Sequence, residues 1–136
     1  MPPTAILETV LYAGDLAAAE TFYGGVLGLK LYAKTEGRHI FYKLEGQMLL
    51  IFNPQATRKS MGGPLPVPAH GAEGEGHVCF AATSFEIEAW RHRLADFDVA
   101  IEADFTWPSG GRSIYVRDPA GNSVEFAEPR IWGFDE

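Results

Sequence analysis

One stretch of this chain returns, about 74 residues later, with its chemistry in register. Gly37-Arg38-His39-Ile40-Phe41-Tyr42-Lys43 leads through a turn at Gly46 to MLLIFNP, ending at Pro54. Gly111-Arg112-Ser113-Ile114-Tyr115-Val116-Arg117 leads through a turn at Gly121 to SVEFAEP, ending at Pro129. With one residue inserted in the second turn, Gly, Arg, Ile, an aromatic, a basic residue, Gly, an amide and Pro coincide. A chain built this way folds as two related modules facing each other. Each half then reports which positions of the other line a shared hollow.

The surrounding pattern fills in the modules. Residues 5–12 alternate in the β manner, and Asp15 is placed to cap a helix carrying Leu16, Ala19, Phe22, Tyr23 and Val26, stopped at Gly28. Strands over about 29–35, 38–44 and 47–53 follow, with Gly37 and Glu45-Gly46 as hairpin turns. The order then recurs: a strand over 76–82, a helix capped by Ser84, and strands near 99–105, 112–117 and 122–128. The predicted fold is α+β, a single domain of two βαβββ modules forming a cupped mixed sheet around a cavity. Module one spans about 5–54 and module two about 76–129. The Pro/Gly-rich segment 55–75 between them is a linker that can also serve as a rim carrying Arg58, Lys59 and His70.

Composition narrows the function. The 136 residues, 46% of them apolar, suffice for a real core. No apolar run approaches the roughly 18 residues of a membrane span, and the start MPPTAILETV lacks a secretory leader's basic and apolar regions. Cys79 is the only cysteine, so no internal disulfide forms, and a cytoplasmic location is expected. A net charge of −7 without a Lys/Arg cluster predicts no nucleic-acid and no membrane partner, and leaves a small-molecule substrate.

Strand parity then singles out a constellation. Alternate residues of a strand face opposite sides of the sheet. Val124 and Phe126 take the helix-packed side of the last strand, leaving Glu125 on the open side. Val78, Phe80 and Ala82 leave His77 and Cys79 open, and Glu8 lies on the open side of the first strand. In the repeat, Glu8 corresponds to His77 and Leu50 to Glu125. Of four equivalent positions, three can bind a cation. One His and two carboxylates suit zinc, manganese, iron(II) or nickel, with room for water or substrate. Without a metal, two converging carboxylates repel and one retains a proton, which is a usable acid or base. Tyr12 and Phe52 share parity with Glu8 and Leu50 and are expected to wall the pocket, with Met48 extending it. Trp107 and Arg112 suggest an aromatic shelf and a cation for a substrate anion, and Tyr115 a hydroxyl.

These motifs resemble the vicinal oxygen chelate superfamily, which joins glyoxalase I, bleomycin-resistance proteins and extradiol dioxygenases. The resemblance is carried by Gly14-Asp15-Leu16, Phe22-Tyr23-x-x-Val26-Leu27-Gly28-Leu29, Gly76-His77-Val78, and Tyr115-x-x-Asp118-Pro119-x-Gly121-Asn122-x-x-Glu125. It covers about residues 5–129. It implies metal ligands at Glu8, His77 and Glu125, with Leu50 in the fourth-strand place that three-ligand members omit. Glu8 departs from the usual first-strand His or Gln. The resemblance further implies a homodimer and a metal-dependent lyase or isomerase, ahead of thiol transfer and oxygenation. The cation polarises a substrate with adjacent oxygens, and Glu8 or Glu125 serves as base. The competing expectation is a metal-free protein that sequesters an aromatic or cationic drug, as bleomycin-resistance members do.

Overall fold

The computed structural model describes residues 1–59 and 63–135. The chain divides into two compact units, Met1–Gly76 and His77–Glu136. The architecture is α+β, and each unit carries one four-stranded mixed sheet.

The first unit opens with β1 (Glu8–Tyr12) and α1 (Leu16–Glu20). The helix starts where expected, because the Asp15 side chain accepts from the Ala18 N–H. It continues as a wider π-type coil over Thr21–Val26, burying Phe22, Tyr23 and Val26. Gly28, at φ 72°, then turns the chain into β2 (Lys30–Thr35), β3 (His39–Lys43) and β4 (Met48–Phe52). The strand order is β1-β4-β3-β2, with β1 and β4 parallel. Leu11, Ile40, Tyr42, Leu49 and Ile51 share the helix-packed face and are buried. The Tyr23 and Tyr42 rings meet across it at 6.2 Å. The segment expected as linker begins with a short helix, α2 (Pro54–Thr57), capped by the Asn53 side chain. Residues 60–62 of that segment lie outside the described residues.

The second unit repeats the plan with β5 (His77–Ala81), α3 (Ser84–Asp96), β6 (Ala103–Thr106), β7 (Arg112–Arg117) and β8 (Ser123–Ala127). Its order is β5-β8-β7-β6, again with the first and last strands parallel. Trp90 of α3 stacks on Phe126 at 4.5 Å, above a floor of buried Ile87, Leu94, Ile114, Val116 and Val124.

Two boundaries differ from expectation. The α3 cap is Thr83, not Ser84. The Thr83 hydroxyl accepts from the Glu86 N–H, and the Glu86 carboxylate accepts from the Thr83 N–H, a reciprocal pair that Ser84 is one residue too late to form. The strand expected from 99 begins at Ala103. Asp98 takes a left-handed conformation, φ 56°, and the Val99 N–H returns to the Leu94 carbonyl, so the chain is still closing the helix there.

Candidate functional site

In the second unit, the open face of the sheet is organised around Glu125. β8 lies between β5 and β7, so Glu125 has Cys79 as its Cα partner on one side and Tyr115 on the other. The residue is only 5% exposed. Its Oε1 lies 3.2 Å from His77 Nε2, and its Oε2 is buried without a hydrogen-bond partner.

His77 is set up by the strand edge. Its Nδ1 lies 3.0 Å from the Ser123 carbonyl, the Cα partner directly across the ladder. A carbonyl only accepts, so Nδ1 carries a proton and donates. That leaves Nε2 turned to the carboxylate. A proton or a metal ion between Nε2 and Oε1 would bridge the two atoms at this separation. An imidazole fixed through one nitrogen by a backbone carbonyl, with the other toward a carboxylate, is a suitable ligand arrangement. Oε2 makes no hydrogen bond of standard geometry, though the Tyr115 hydroxyl and the Cys79 thiol both lie near enough to the carboxylate to interact with it. His77 and Glu125 supply two donors of the types that divalent cations accept, fewer than a closed site needs. Among the described residues, no three His, Cys, Asp or Glu side chains form a ready metal-holding group.

The neighbours of Glu125 respond to it. The Tyr115 hydroxyl is pushed up to about 12, first by burial and then by the Glu125 carboxylate. Cys79 keeps some exposed surface as a residue, yet its thiol is also pushed up to about 12, by desolvation first and Glu125 next. Both groups stay protonated at neutral pH, so Cys79 is a thiol and not a nucleophilic thiolate.

An aromatic row leads away from this centre. His77 stacks near Tyr115 at 6.3 Å, Tyr115 on Phe105 at 5.9 Å, and Phe105 meets Trp107 edge-on at 4.8 Å. The Trp107 indole N–H donates to the Ser113 hydroxyl at 2.8 Å, which fixes the shelf. Trp107 and Tyr115 thus stand in one row with His77. Phe105 completes it; the expected strand of 99–105 contained it, but the alternation of β6 was not extended to its open face.

Arg112 is the expected site residue that the structure reassigns. It falls with Ile114 and Val116 on the helix-packed side of β7. Its Nε and Nη2 donate to the two Asp104 oxygens, each at 2.9 Å, and Nη1 donates to Glu88 of α3. These hydrogen bonds hold the Asp104 and Glu88 carboxyls below their usual range. A guanidinium engaged on both edges ties β6, β7 and α3 together and is not available to a substrate anion.

In the first unit, Glu8 is exposed and shares the open face with Val10 and Tyr12 on β1 and with Met48, Leu50 and Phe52 on β4. Leu50 and Phe52 are buried. Phe41 and His39 of β3 belong to the same face, opposite Leu50 and Phe52. His39 stacks on Phe41 at 4.0 Å and meets Phe52 edge-on at 5.8 Å. From the interconnecting segment, His70 meets Phe52 at 4.7 Å and pairs with the Tyr12 hydroxyl at 2.6 Å. In the sequence His39 carried no site role and His70 only a place on the linker rim. The structure brings both against Phe52, a long-range contact that no spacing announces. A surface recess between α1 and the β2–β3 hairpin, lined by Lys34, Glu36 and His39, contains none of the expected site residues.

Known proteins extend these observations. The Glyoxalase/Bleomycin resistance protein/Dioxygenase superfamily matches residues 5–126. A lactoylglutathione lyase from Agrobacterium tumefaciens is 47% identical, with a TM-score of 0.92 over 98% of this chain and 100% of that one. A glyoxalase/bleomycin resistance protein/dioxygenase from Nocardioides is 26% identical, with a TM-score of 0.74 over 94% of this chain and 85% of that one. A virulence protein from Salmonella typhimurium, 23% identical, shares the fold at a TM-score of 0.69 over 94% of this chain and 98% of that one. No curated protein matches significantly. No helix among the described residues is long and apolar enough to cross a membrane. With its duplicated βαβββ plan and its match over nearly the whole length, the chain belongs to the glyoxalase/bleomycin resistance protein/dioxygenase superfamily.

Proposed function

We propose that this protein is a glyoxalase-type lyase or isomerase acting on a small conjugate with oxygens on adjacent carbons. The reading draws on the 47% identity to a lactoylglutathione lyase, and the substrate class is an α-hydroxy thioester of the lactoylglutathione kind. The single observation that carries it is the buried Glu125 carboxylate, with Oε2 unpartnered and Oε1 3.2 Å from His77 Nε2.

The chemistry asked of such a site is a proton transfer between neighbouring carbons. The hemithioacetal of an α-ketoaldehyde carries its acidic hydrogen on the carbon bearing sulfur and hydroxyl. A carboxylate removes that proton, and the electron pair forms a double bond to the adjacent carbon while its carbonyl oxygen becomes an oxyanion. Return of that proton to the second carbon, with the proton of the first carbon's hydroxyl passing to the oxyanion, gives the α-hydroxy thioester, with no net oxidation and no co-reactant. Glu125 would perform the removal, a role supported by its burial, which excludes water from the base. His77 and Glu125 would hold a divalent cation such as zinc, manganese, iron or nickel, with Glu8 as the third donor proposed from its repeat position. When bound, that cation lends electrophilic stabilisation to the developing oxyanion. Tyr115 and Trp107 are proposed to contact the substrate from the second unit's sheet, and Tyr12 and Phe52 remain substrate-binding candidates of the first. In keeping with the family resemblance, we propose that the active form is a homodimer in the cytoplasm.

The row from Trp107 through Phe105 to Tyr115 favours one competing reading, metal-free sequestration of an aromatic drug. Calorimetric titration with zinc, nickel and manganese separates the two. Wild type is expected to bind one of them, His77→Ala and Glu125→Ala to lose it, and Glu8→Ala to weaken it at least tenfold. Isomerisation of a methylglyoxal–glutathione adduct should follow the same order. Flat titrations for wild type and variants alike, with no turnover, refute the enzyme and leave sequestration.

A further inference from the structure

The loop that carries Trp107 is fastened from the C-terminal end of the chain. It joins β6 to β7 over residues 107–111 and ends on two glycines with positive φ, Gly110 at 96° and Gly111 at 89°. Inside it the Trp107 N–H donates to the Gly111 carbonyl and the Gly110 N–H to the Trp107 carbonyl, both at 2.9 Å. After β8 the chain makes one short 3-10 turn, Pro129–Trp132, closed by Gly133 at φ 81°. That turn returns to the loop. The Glu128 carboxylate, 3% exposed, accepts from the Arg112 N–H at 2.7 Å, and the Glu128 N–H donates to the Arg112 carbonyl at 3.1 Å. Ile131 sits so closely on Gly111 that a Cβ added there would lie 2.6 Å from Ile131 Cγ2. Trp132 and Phe134 are exposed, so the apolar grip of the turn rests on Ile131 and not on its larger rings.

The repeat shows that this grip is no part of the common frame. Gly37 and Pro54 of the first unit stand where Gly111 and Pro129 stand in the second, and Ala56 takes the place of Ile131. A Cβ at Gly37 would have nothing within 4 Å. Of the two equivalent hairpins, the one that bears a large ring is the one that is pinned. That ring places its indole N–H on the Ser113 hydroxyl at 2.8 Å and meets Phe105 edge-on at 4.8 Å. It therefore ends the row that runs through Tyr115 to His77. The family match stops at residue 126, short of the turn.

We propose that Ile131 is a positioning residue: seated on Gly111, it fixes the Trp107 ring, and through that ring it sets the affinity for the substrate. The inference rests on the lyase reading above for its substrate and on the second unit alone for its geometry. The link is short. Ile131 packs on the Gly111 backbone, and the Gly111 carbonyl holds the Trp107 N–H. Truncating Ile131 frees a Gly-Gly corner, the pair of residues with the widest choice of conformations. The ring then loses its fixed place. Phe105 and Tyr115 stand between Trp107 and His77 in the row, so the effect falls on binding and not on the proton transfer at Glu125.

The test reads the ring and the reaction separately. Protein labelled with 5-fluorotryptophan gives one fluorine resonance each for Trp90, Trp107 and Trp132, assigned through Trp107→Phe and Trp132→Phe. Ile131→Ala should shift and broaden the Trp107 resonance and leave that of Trp90, which stacks on buried Phe126, in place. KM for the methylglyoxal–glutathione adduct should rise about three- to tenfold, the scale of one misplaced aromatic contact. Unchanged kcat should accompany it, the pattern of binding lost equally from ground and transition states. Ile131→Val should restore most of both signals. Trp107→Ala should raise KM by a similar factor, and adding Ile131→Ala to it should cost nothing further, because the one residue acts through the other. An unmoved Trp107 resonance in Ile131→Ala, a Trp90 resonance that moves with it, a fall in kcat at constant KM, or additive losses in the double variant would each overturn the inference. If wild type does not turn over the adduct, the lyase reading fails by itself, and the fluorine spectra then decide whether Ile131 fixes the ring.

Discussion

Replacing Glu125 by leucine should make the metal-free protein more stable while removing its chemistry. The repeat supplies the substitution, since Leu50 occupies the equivalent place in the first unit and is fully accommodated there. At Glu125 one carboxylate oxygen is buried with no partner. Leaving such an atom unsatisfied costs about 1–3 kcal/mol, and a side chain of similar bulk without polar atoms recovers that amount. Against the gain stand the loss of the His77 contact and of the carboxylate's interactions with the Tyr115 hydroxyl and the Cys79 thiol. His77 is half exposed, its side chain at 51%, so water replaces the carboxylate and the loss is about 0–1 kcal/mol. The net expectation is a gain of about 0–3 kcal/mol, centred near 1–2 kcal/mol, which is about 3–8 °C in Tm for a chain of this size.

Urea denaturation in the presence of a chelator measures this directly. Glu125→Leu should show the higher midpoint with an unchanged m-value, and Glu125→Gln, which keeps a polar group in the same place, should show little gain. Adding a divalent ion at about a hundredfold over its Kd should then stabilise wild type alone by about 2.7 kcal/mol and reverse the order. A leucine variant no more stable than wild type under chelation would mean that Oε2 is already satisfied. The argument from an orphaned ligand would then fail, and with it the assignment of Glu125 as the open donor.

Two further expectations concern the frame around the site. Asp104 and Glu88 are held low by Arg112, and a depressed carboxylate contributes stability above its unfolded pKa and loses it as pH falls through the folded one. Arg112→Met should therefore be less stable than wild type at pH 7, and the difference should shrink only below about pH 4.5 and vanish toward pH 2; a gap independent of pH down to 2 would refute the ionic account. Gly111, at φ 89°, would place a Cβ 2.6 Å from Ile131 Cγ2, whereas Gly46, at φ 78°, has nothing within 4 Å. Gly111→Ala should lose at least about 2 kcal/mol in urea unfolding and Gly46→Ala about 1 kcal/mol, since only the first adds a clash to the strain; equal losses would show that the clash relaxes freely.

The duplicated order, most of the strands and the Asp15 cap were legible because each rests on a local rule. Period-two alternation put Glu8, His77 and Glu125 on the sides where the sheets carry them, and Asp15 caps its helix as a short acceptor should. The Thr83 cap was equally written in the chain, as Thr83-Ser84-Phe85-Glu86, but the adjacent serine competes for the same reading until the reciprocal Glu86 contact is considered. Arg112 was misread for a different reason. Its loop and its charge suggested a ligand, while its parity with Ile114 and Val116 already placed it on the helix side. His70 was out of reach. A segment without periodicity gives no register, and its contact with Tyr12 joins residues 58 positions apart. Local rules cannot announce a contact whose entropy is offset only by the finished fold.

The two units hold the same backbone frame and differ in what stands on it. The Ala13 N–H donates to the Phe52 carbonyl and the Ala82 N–H to the Ala127 carbonyl, both at 2.9 Å. The Asn53 N–H donates to Arg38 at 2.8 Å and the Glu128 N–H to Arg112 at 3.1 Å. On that common frame the first unit sets Tyr12, Phe41, Leu50 and Phe52 where the second sets Ala81, Tyr115, Glu125 and Ala127. Bulk and apolar surface thus fall on one side of the repeat, and the buried acid with its small neighbours on the other. A carboxylate at residue 50 would meet Phe41 across the ladder, where the second unit gives Glu125 the Tyr115 hydroxyl. Leu50 therefore does more than omit a ligand. It leaves the first unit's open face apolar, whereas the buried acid stands on the unit whose sheet sets a polar neighbour, Tyr115, beside it.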